Sequence, residues 1–292
     1  MEQLGLAACT LADAAYPNLL RQIPSPPPLL YTRGQIDWND GLAVAVVGTR
    51  KASAYGLRVA QDIASVLAAA GCIVVSGLAL GIDGAAARSA LQAGGRTAAV
   101  LGCGLGQIYP ASHYRLGQQI IAGGGQLLSE FCPYMPPLRH HFPRRNRIIA
   151  GLCRATVVVE AAEKSGALIT AAHALEQNRD VASVPGSMYN PTATGSNRLL
   201  AAGAQLLTRP EDILEILQIQ TPETAPLSVV ELSDQQAELL ALIGQEPIAV
   251  DKLATSSRLD ISILQATISE LELLGVITRD PLNRYHQTRR NK

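Results

Sequence analysis

Short apolar runs that end in glycine or a polar turn, alternating with helix-length stretches, predict an α/β fold with a doubly wound, mostly parallel Rossmann-like sheet. The pattern changes in residues 231–292, which read as helix, turn, helix and hairpin, the layout of a small C-terminal winged-helix domain. Composition agrees with a folded chain. Of its 292 residues 48% are hydrophobic and only 16% charged, which favours a well-buried core over disorder.

The elements follow in order. Residues 1–40 are proline-rich, and IPSPPPLLYTRG reads as an extended N-terminal lead-in. The Rossmann-like domain is expected over residues 41–218. LAVAVVG (42–48) is its first strand, and YGLRVAQDIASVLAAAG is a helix that closes on Gly71 as a C-cap. CIVVSG (72–77) is the next strand and GIDGAAARSALQAGG the next helix. RTAAVLG (96–102), a helix over 114–122, GQLLSE (125–130), ATVVVE (155–160), a helix over 166–178 and DVASVPG (180–186) continue the alternation. A proline-containing acidic linker spans 219–230. Beyond it, VDKLATSS and DISILQATISELELLG form two helix patterns, and VITRDPLNRYHQT reads as two strands around an Asp-Pro turn.

No apolar run approaches the ~18–20 residues needed to span a bilayer. The N-terminus lacks the basic region and continuous apolar core of a signal peptide. The expectation is a cytoplasmic protein with no membrane partner. Five scattered cysteines without a C-x-x-C pair suit reduced core thiols, not a disulfide framework or a zinc site. Lysine plus arginine and aspartate plus glutamate both number 24, which argues against a uniformly basic coat but not against a local patch. Residues 211–246 carry eight acids and no lysine or arginine, and so offset basic charge elsewhere.

In a doubly wound sheet ligands bind beyond the carboxyl ends of the strands. The turn after the first strand offers Gly48, Thr49 and Arg50. Backbone N–H groups, a hydroxyl and a guanidinium fork before a helix suit a phosphate. The spacing is neither a dinucleotide fingerprint nor a P-loop, and a tight turn with a solvated arginine is the alternative. After the second strand, Ser76, Gly77 and Gly81 make a small-residue turn in which Asp83 can cap the next helix. HHFPRRNRIIAG (140–151) is the densest cationic stretch, with four arginines between Arg139 and Arg147 and no acid among them. Pro143 suits the first turn of a helix, Arg144 and Arg147 share a face, and Ile148 and Ile149 point inward. Phe142, just outside the helix start, can present its ring to a base. Arginine forks with one aromatic suit unpaired nucleic acid; the alternative is a salt-bridged helix with Phe142 buried. Lys164, Ser165 and Gly166 put a further cation at a helix start. His173 reads as a packed helical residue, and His140–His141 lack a partner for a metal site. No catalytic constellation, metal site or cofactor motif is present.

GTR after the first strand, SGLALGID after the second, GCGLGQIYP, SEFCP, FPRRNRIIAG and VVVEAAEKSGALITA stand in the order that resembles the DNA-processing protein A (DprA/Smf) family. The resemblance covers roughly residues 16–210, and the tail resembles the winged-helix module that many members carry. It implies an extended Rossmann-fold protein, homodimeric and without established enzymatic activity. Such proteins bind single-stranded DNA in natural transformation, protect incoming strands and help load the RecA recombinase. By motif it assigns DNA contact to Gly48, Thr49 and Arg50, to Ser76 and Gly77, to Phe142, Arg144, Arg145, Asn146 and Arg147, and to Lys164, Ser165 and Gly166. Many members begin with a longer helical module resembling a sterile-alpha-motif domain, whereas about 40 residues precede the first Rossmann strand here. The enzymatic alternative is a nucleotide phosphoribohydrolase of the lysine-decarboxylase-like type. Its P-G-G-x-G-T-x-x-E motif is not matched by EAAEKSGALITA or PGSMYNPTATG. A transcription regulator led by the winged helix is a further option.

Overall fold

The structure, a computed structural model, describes residues 5–219, 233–244, 248–257, 259–274, 276–280 and 284–287. The chain divides into two compact units, Met1–Thr221 and Pro222–Lys292. Most of the expected linker, the Asp-Pro turn and the basic C-terminus lie outside the described residues.

The first unit opens with β1 (Ala7–Thr10), α1 (Asn18–Arg21) and β2 (Leu29–Gly34). A strict alternation follows: β3 (Ala43–Val47), α2 (Ala54–Ala69), β4 (Ile73–Ser76), α3 (Ile82–Gln92), β5 (Thr97–Val100), α4 (Tyr114–Ala122) and β6 (Gln126–Ser129). It continues through α5 (His141–Leu152), β7 (Ala155–Val158), α6 (Gly166–Glu176), β8 (Asp180–Ser183), α7 (Thr194–Ala201), β9 (Gln205–Leu206) and α8 (Asp212–Ile216). The sheet runs β1-β2-β6-β5-β4-β3-β7-β8-β9, parallel from β6 to β9.

The strands are apolar on both sides because helices cover both faces. Val44 and Val46 of β3 enter one core layer with Ile63 and Leu67 of α2. Ala45 and Val47 enter the opposite layer with Ile148, Ile149 and Leu152 of α5. Helix α2 shows how local sequence sets an element. Ser53 Oγ accepts from the Gly56 N–H at 3.0 Å, and Ala60, Ile63, Ala64 and Leu67 bury one face. The helix stops where Gly71 turns left-handed at φ +77°.

Residues 5–40 are not an extended lead-in but part of the sheet domain. Strand β2 pairs antiparallel with β6, and β1 pairs antiparallel with β2. Tyr16, Leu20, Ile23 and Leu30 are buried in the same core as α5. The physical reason is the edge of β6, whose unpaired backbone groups take up β2 and so extend the sheet. Among the described residues no helix is long and apolar enough to cross a membrane. All five cysteines are unpaired. Cys72, Cys103 and Cys153 are buried as expected, Cys9 is partly buried, and Cys132 is exposed. Burial pushes the Cys153 thiol well above its ordinary range.

The second unit holds α9 (Asp234–Leu242), β10 (Ile248–Ala249), α10 (Val250–Ser257), α11 (Ile261–Leu273), β11 (Ile277–Arg279) and β12 (Arg284–Gln287). Its strands form an antiparallel sheet in the order β10-β12-β11. Leu239, Leu253, Leu264, Ile268, Leu271 and Tyr285 share its core. The two anticipated helices and both hairpin strands are present, and α9 and β10 complete a winged helix. Asp260 caps α11 by accepting from the Ser262 N–H at 3.0 Å.

Candidate nucleic-acid interface

Strand order reverses at β3. The chain winds outward through β4, β5 and β6 on one side, then returns to place β7, β8 and β9 on the other. The carboxyl ends of β3 and β7 therefore diverge into a crevice, the place where such sheets bind ligands. A cavity of about 870 Å³ occupies it. Gly48, Thr49 and Arg50 enter from the end of β3, and Phe142, Arg145 and Asn146 from α5. Lys164, Ser165 and Gly166 enter from the turn before α6.

Each contributor is held by a specific bond. The Thr49 N–H donates to Glu160 O at 2.7 Å, which ties the β3 and β7 ends together. The Ile82 N–H donates to Thr49 O at 3.3 Å. Gly81, at φ +75°, lies so close beneath the Thr49–Arg50 backbone that a side chain there would collide with it. Ser165 caps α6, its Oγ accepting from the Ala167 N–H at 3.3 Å. Asn146 is buried and donates from Nδ2 to Gly166 O at 3.1 Å, fastening the lysine-bearing turn to α5.

Arg50 and Lys164 are exposed, and neither has an ion-pair partner among the described residues. The Arg50 guanidinium carbon stands 5.3 Å from the centre of the Phe142 ring. Phe142 is half-buried, lies inside α5 rather than just before it, and packs against Tyr109 with ring centres 5.6 Å apart. The aromatic and the free cations thus face one groove.

Arg145 has a different part. It is 4% exposed. Its Nη1 donates to Gly77 O at 3.0 Å and to Val100 O, and its Nε donates to Asn146 Oδ1 at 3.2 Å. Asp83 is also buried, and its Oδ2 accepts from the Gly77 N–H at 2.8 Å and the Ala79 N–H at 3.4 Å. Asp83 therefore ties down the loop before α3 instead of capping that helix. Burial pushes the Asp83 carboxyl up and nearby Arg145 pulls it back. Burial pushes Arg145 down to about 10, and Asp83 opposes that. Ser76 and Gly77 are buried behind this arginine and do not line the cavity. A side chain at Gly77 would strike the Arg145 guanidinium.

The expectation of an arginine cluster free of acid does not survive folding. Glu130, just past β6, has a side chain only 4% exposed. It accepts from Arg147 Nη2 and Nη1 at 2.8 and 2.9 Å, and Arg144 Nη2 lies 3.2 Å from it. Arg144 and Arg147 do share a helix face, but that face holds Glu130 and does not line the cavity. The ring of His141 stacks on Phe131 with centres 3.9 Å apart, and His140 meets it edge-on. Among the described residues no group of three or more potential ligands could hold a metal. His173 is partly buried on α6, its side chain 28% exposed, and its Nδ1 lies 3.1 Å from Glu176 Oε2.

A family model described as DNA recombination-mediator protein A matches residues 7–218, and one described as DprA winged helix domain matches residues 222–281. The chain belongs to the DNA recombination-mediator protein A family. Protein Smf of Escherichia coli K12 is 42% identical over 274 residues, covering 91% of this chain and 73% of its own length. DNA processing protein DprA of Streptococcus pneumoniae R6 is 43% identical over 205 residues, covering 70% and 72%. The X-ray structure of DprA from S. pneumoniae superposes with a TM-score of 0.68 at 42% identity, covering 72% of this chain and 74% of that one. DNA processing protein A of Helicobacter pylori, studied for its single-stranded DNA binding mode, gives 0.65 at 30% identity, covering 72% and 95%.

In this family member the start of α2 is not an open anion cradle. Glu160 is 2% exposed, and its Oε2 accepts from the Ser53 N–H at 2.9 Å and the Ser53 hydroxyl at 3.1 Å. Its Oε1 accepts from Asn190 Nδ2 at 3.2 Å and from the Thr192 hydroxyl. The carboxylate fills the place where the helix dipole would draw a phosphate. An anion at the β3 turn is thus left with the Arg50 side chain, not the helix end. Sequence reasoning singled out neither Tyr109 nor Arg139, and both line the cavity. Arg139 belongs to the arginine-rich stretch, and Tyr109 to the GCGLGQIYP strand-end loop, so both signals were present.

Proposed function

We propose that this protein binds single-stranded DNA in the groove between the β3 and β7 ends, with Arg50, Lys164 and Arg139 drawing the backbone and Phe142 stacking a base. The observation that carries this reading is the meeting of an unpaired guanidinium and a half-buried ring, 5.3 Å apart, in a cavity of about 870 Å³. Cations with a stacking ring grip unpaired strands without reading sequence. Arg145, Asn146, Ser165 and Gly166 shape the groove. Family membership supports the same reading, as does the H. pylori relative. We extend it to a non-enzymatic, cytoplasmic, homodimeric role in natural transformation and recombination, in which the protein protects incoming strands and hands them to RecA recombinase.

The rival readings gain nothing from the site. A phosphoribohydrolase needs a free carboxylate over its substrate, and the cavity's Asp83 is held by two loop N–H groups. A duplex-reading winged helix needs cations on its recognition helix. Helix α11, ISILQATISELEL, carries two glutamates and no lysine or arginine.

A gel shift comparing single- and double-stranded oligonucleotides tests the proposal, with preference for the single strand as the expected result. Arg50→Ala should weaken binding roughly tenfold and reduce the slope of log affinity against log salt by about 0.7, the share of one phosphate on a single strand. An unchanged slope removes Arg50 from the contact set. Phe142→Ala should lose ~1–3 kcal/mol with the slope intact, because stacking releases no counterion. Full affinity in that variant would reduce the ring to packing.

A further inference from the structure

A second cavity, of about 370 Å³, opens beside the groove at the same edge of the sheet. Glu160 stands between the two. Its backbone oxygen takes the Thr49 N–H on the groove side, and its carboxylate forms part of the second cavity's wall. From the single-strand reading, on which this step rests, we infer that the second cavity is a base subsite: it receives one nucleobase of the strand whose backbone lies in the groove.

Size, charge and shape argue for that occupant. The volume lies near the low end for ligand pockets and suits one base with its sugar, not a length of backbone. None of the residues lining it is a lysine or arginine, and the buried Glu160 carboxylate would repel a phosphate. The occupant is therefore an uncharged part of the strand. Tyr55 supplies a ring that is 53% exposed yet fixed, because its hydroxyl donates to Pro185 O at 3.2 Å. Val159, Pro185 and Ala193 add apolar wall, and Ser187 and Asn190 add polar groups for a base edge. The loop that forms this wall also carries Met188 and Tyr189, 83% and 90% exposed, an apolar display that calls for a partner. A base already tethered by its neighbour in the groove is presented at high effective concentration, so the subsite needs little intrinsic affinity.

The test uses the full chain and oligothymidylates of increasing length, read by fluorescence anisotropy. Tyr55→Ala should bind the shortest competent strands like the parent and long strands roughly tenfold less tightly, with the salt slope unchanged. Tyr55→Phe, which keeps the ring but frees it from Pro185 O, should fall between the parent and Tyr55→Ala. In the parent, an abasic residue walked along a long strand should cost the same factor at one position, and that loss should vanish in Tyr55→Ala. An effect of Tyr55→Ala that is equal at all lengths, or absent, overturns the inference alone. A parent that binds no single strand overturns the groove reading and this one with it. Thymidine that binds the parent but not Tyr55→Ala, with no length effect on strands, would assign the cavity to free nucleosides and overturn the tethered base.

Discussion

Arg145→Ala is expected to destabilise the first unit by about 3 kcal/mol, since each buried carbonyl left without a donor costs about 1–3 kcal/mol. Two backbone carbonyls, those of Gly77 and Val100, lose their donor, and the buried Asp83 carboxyl loses its nearest positive charge. The loss should depend on pH. Burial already holds Asp83 above its ordinary value, and without Arg145 it rises further. A group raised in the fold favours folding while protonated and loses that contribution as pH climbs through its folded value. The gap between parent and variant should thus be smallest in acid and widen as pH rises past the ordinary carboxylate range. Urea unfolding between pH 4 and pH 8 or so reads it directly. A gap that is flat across that range would remove Asp83 as the counter-ion. Reduced DNA binding in this variant alone would say little, because the arginine shapes the groove from behind.

Glu130→Ala is expected to cost a similar amount, about 3 kcal/mol, through the opposite face of α5. It strands Arg147, whose side chain is only 13% exposed, and releases Arg144, which is 62% exposed and can turn to water. Arg147 keeps its bonds to Ser25 O and Arg144 O, which sets the estimate at the lower end. Thermal unfolding checks the size. The double variant Glu130→Ala/Arg147→Met should recover part of the loss, since an apolar chain leaves no uncompensated charge. The salt slope of DNA binding should be unchanged in Glu130→Ala, because neither Arg144 nor Arg147 lines the groove. A change in slope would return both arginines to the list of DNA contacts.

These two variants mark where sequence reasoning succeeds and where it stops. The strands and helices from β3 to β8 were legible because each is a local pattern: an apolar run, a helix-length stretch, a closing glycine. The groove was legible in outline, since a doubly wound sheet sends its strand-end loops to one edge. What could not be read was the fate of each arginine. Arg144, Arg145 and Arg147 are near neighbours in the chain, yet helical geometry turns Arg145 toward Gly77 and Val100 and the other two toward Glu130. Those partners come from other strands, so charge density in the sequence overstated the charge free to meet DNA. The same holds for Ser53 and Glu160, which meet across 107 residues of chain. Strands β1 and β2 escaped notice because a proline-rich stretch separates them and β6, which joins β2 to the sheet, arrives much later.

The glutamate at the head of α2 has a consequence for selectivity. Many proteins of this architecture hold small phosphorylated metabolites at that helix end, and any of them would be a decoy for a protein meant to grip a polymer. A built-in carboxylate occupies the berth permanently. Mononucleotides are left with scattered side-chain contacts, and only a molecule long enough to engage several of them together is retained. Discrimination between a strand and its own building blocks would then come from length, not from recognition of any one unit.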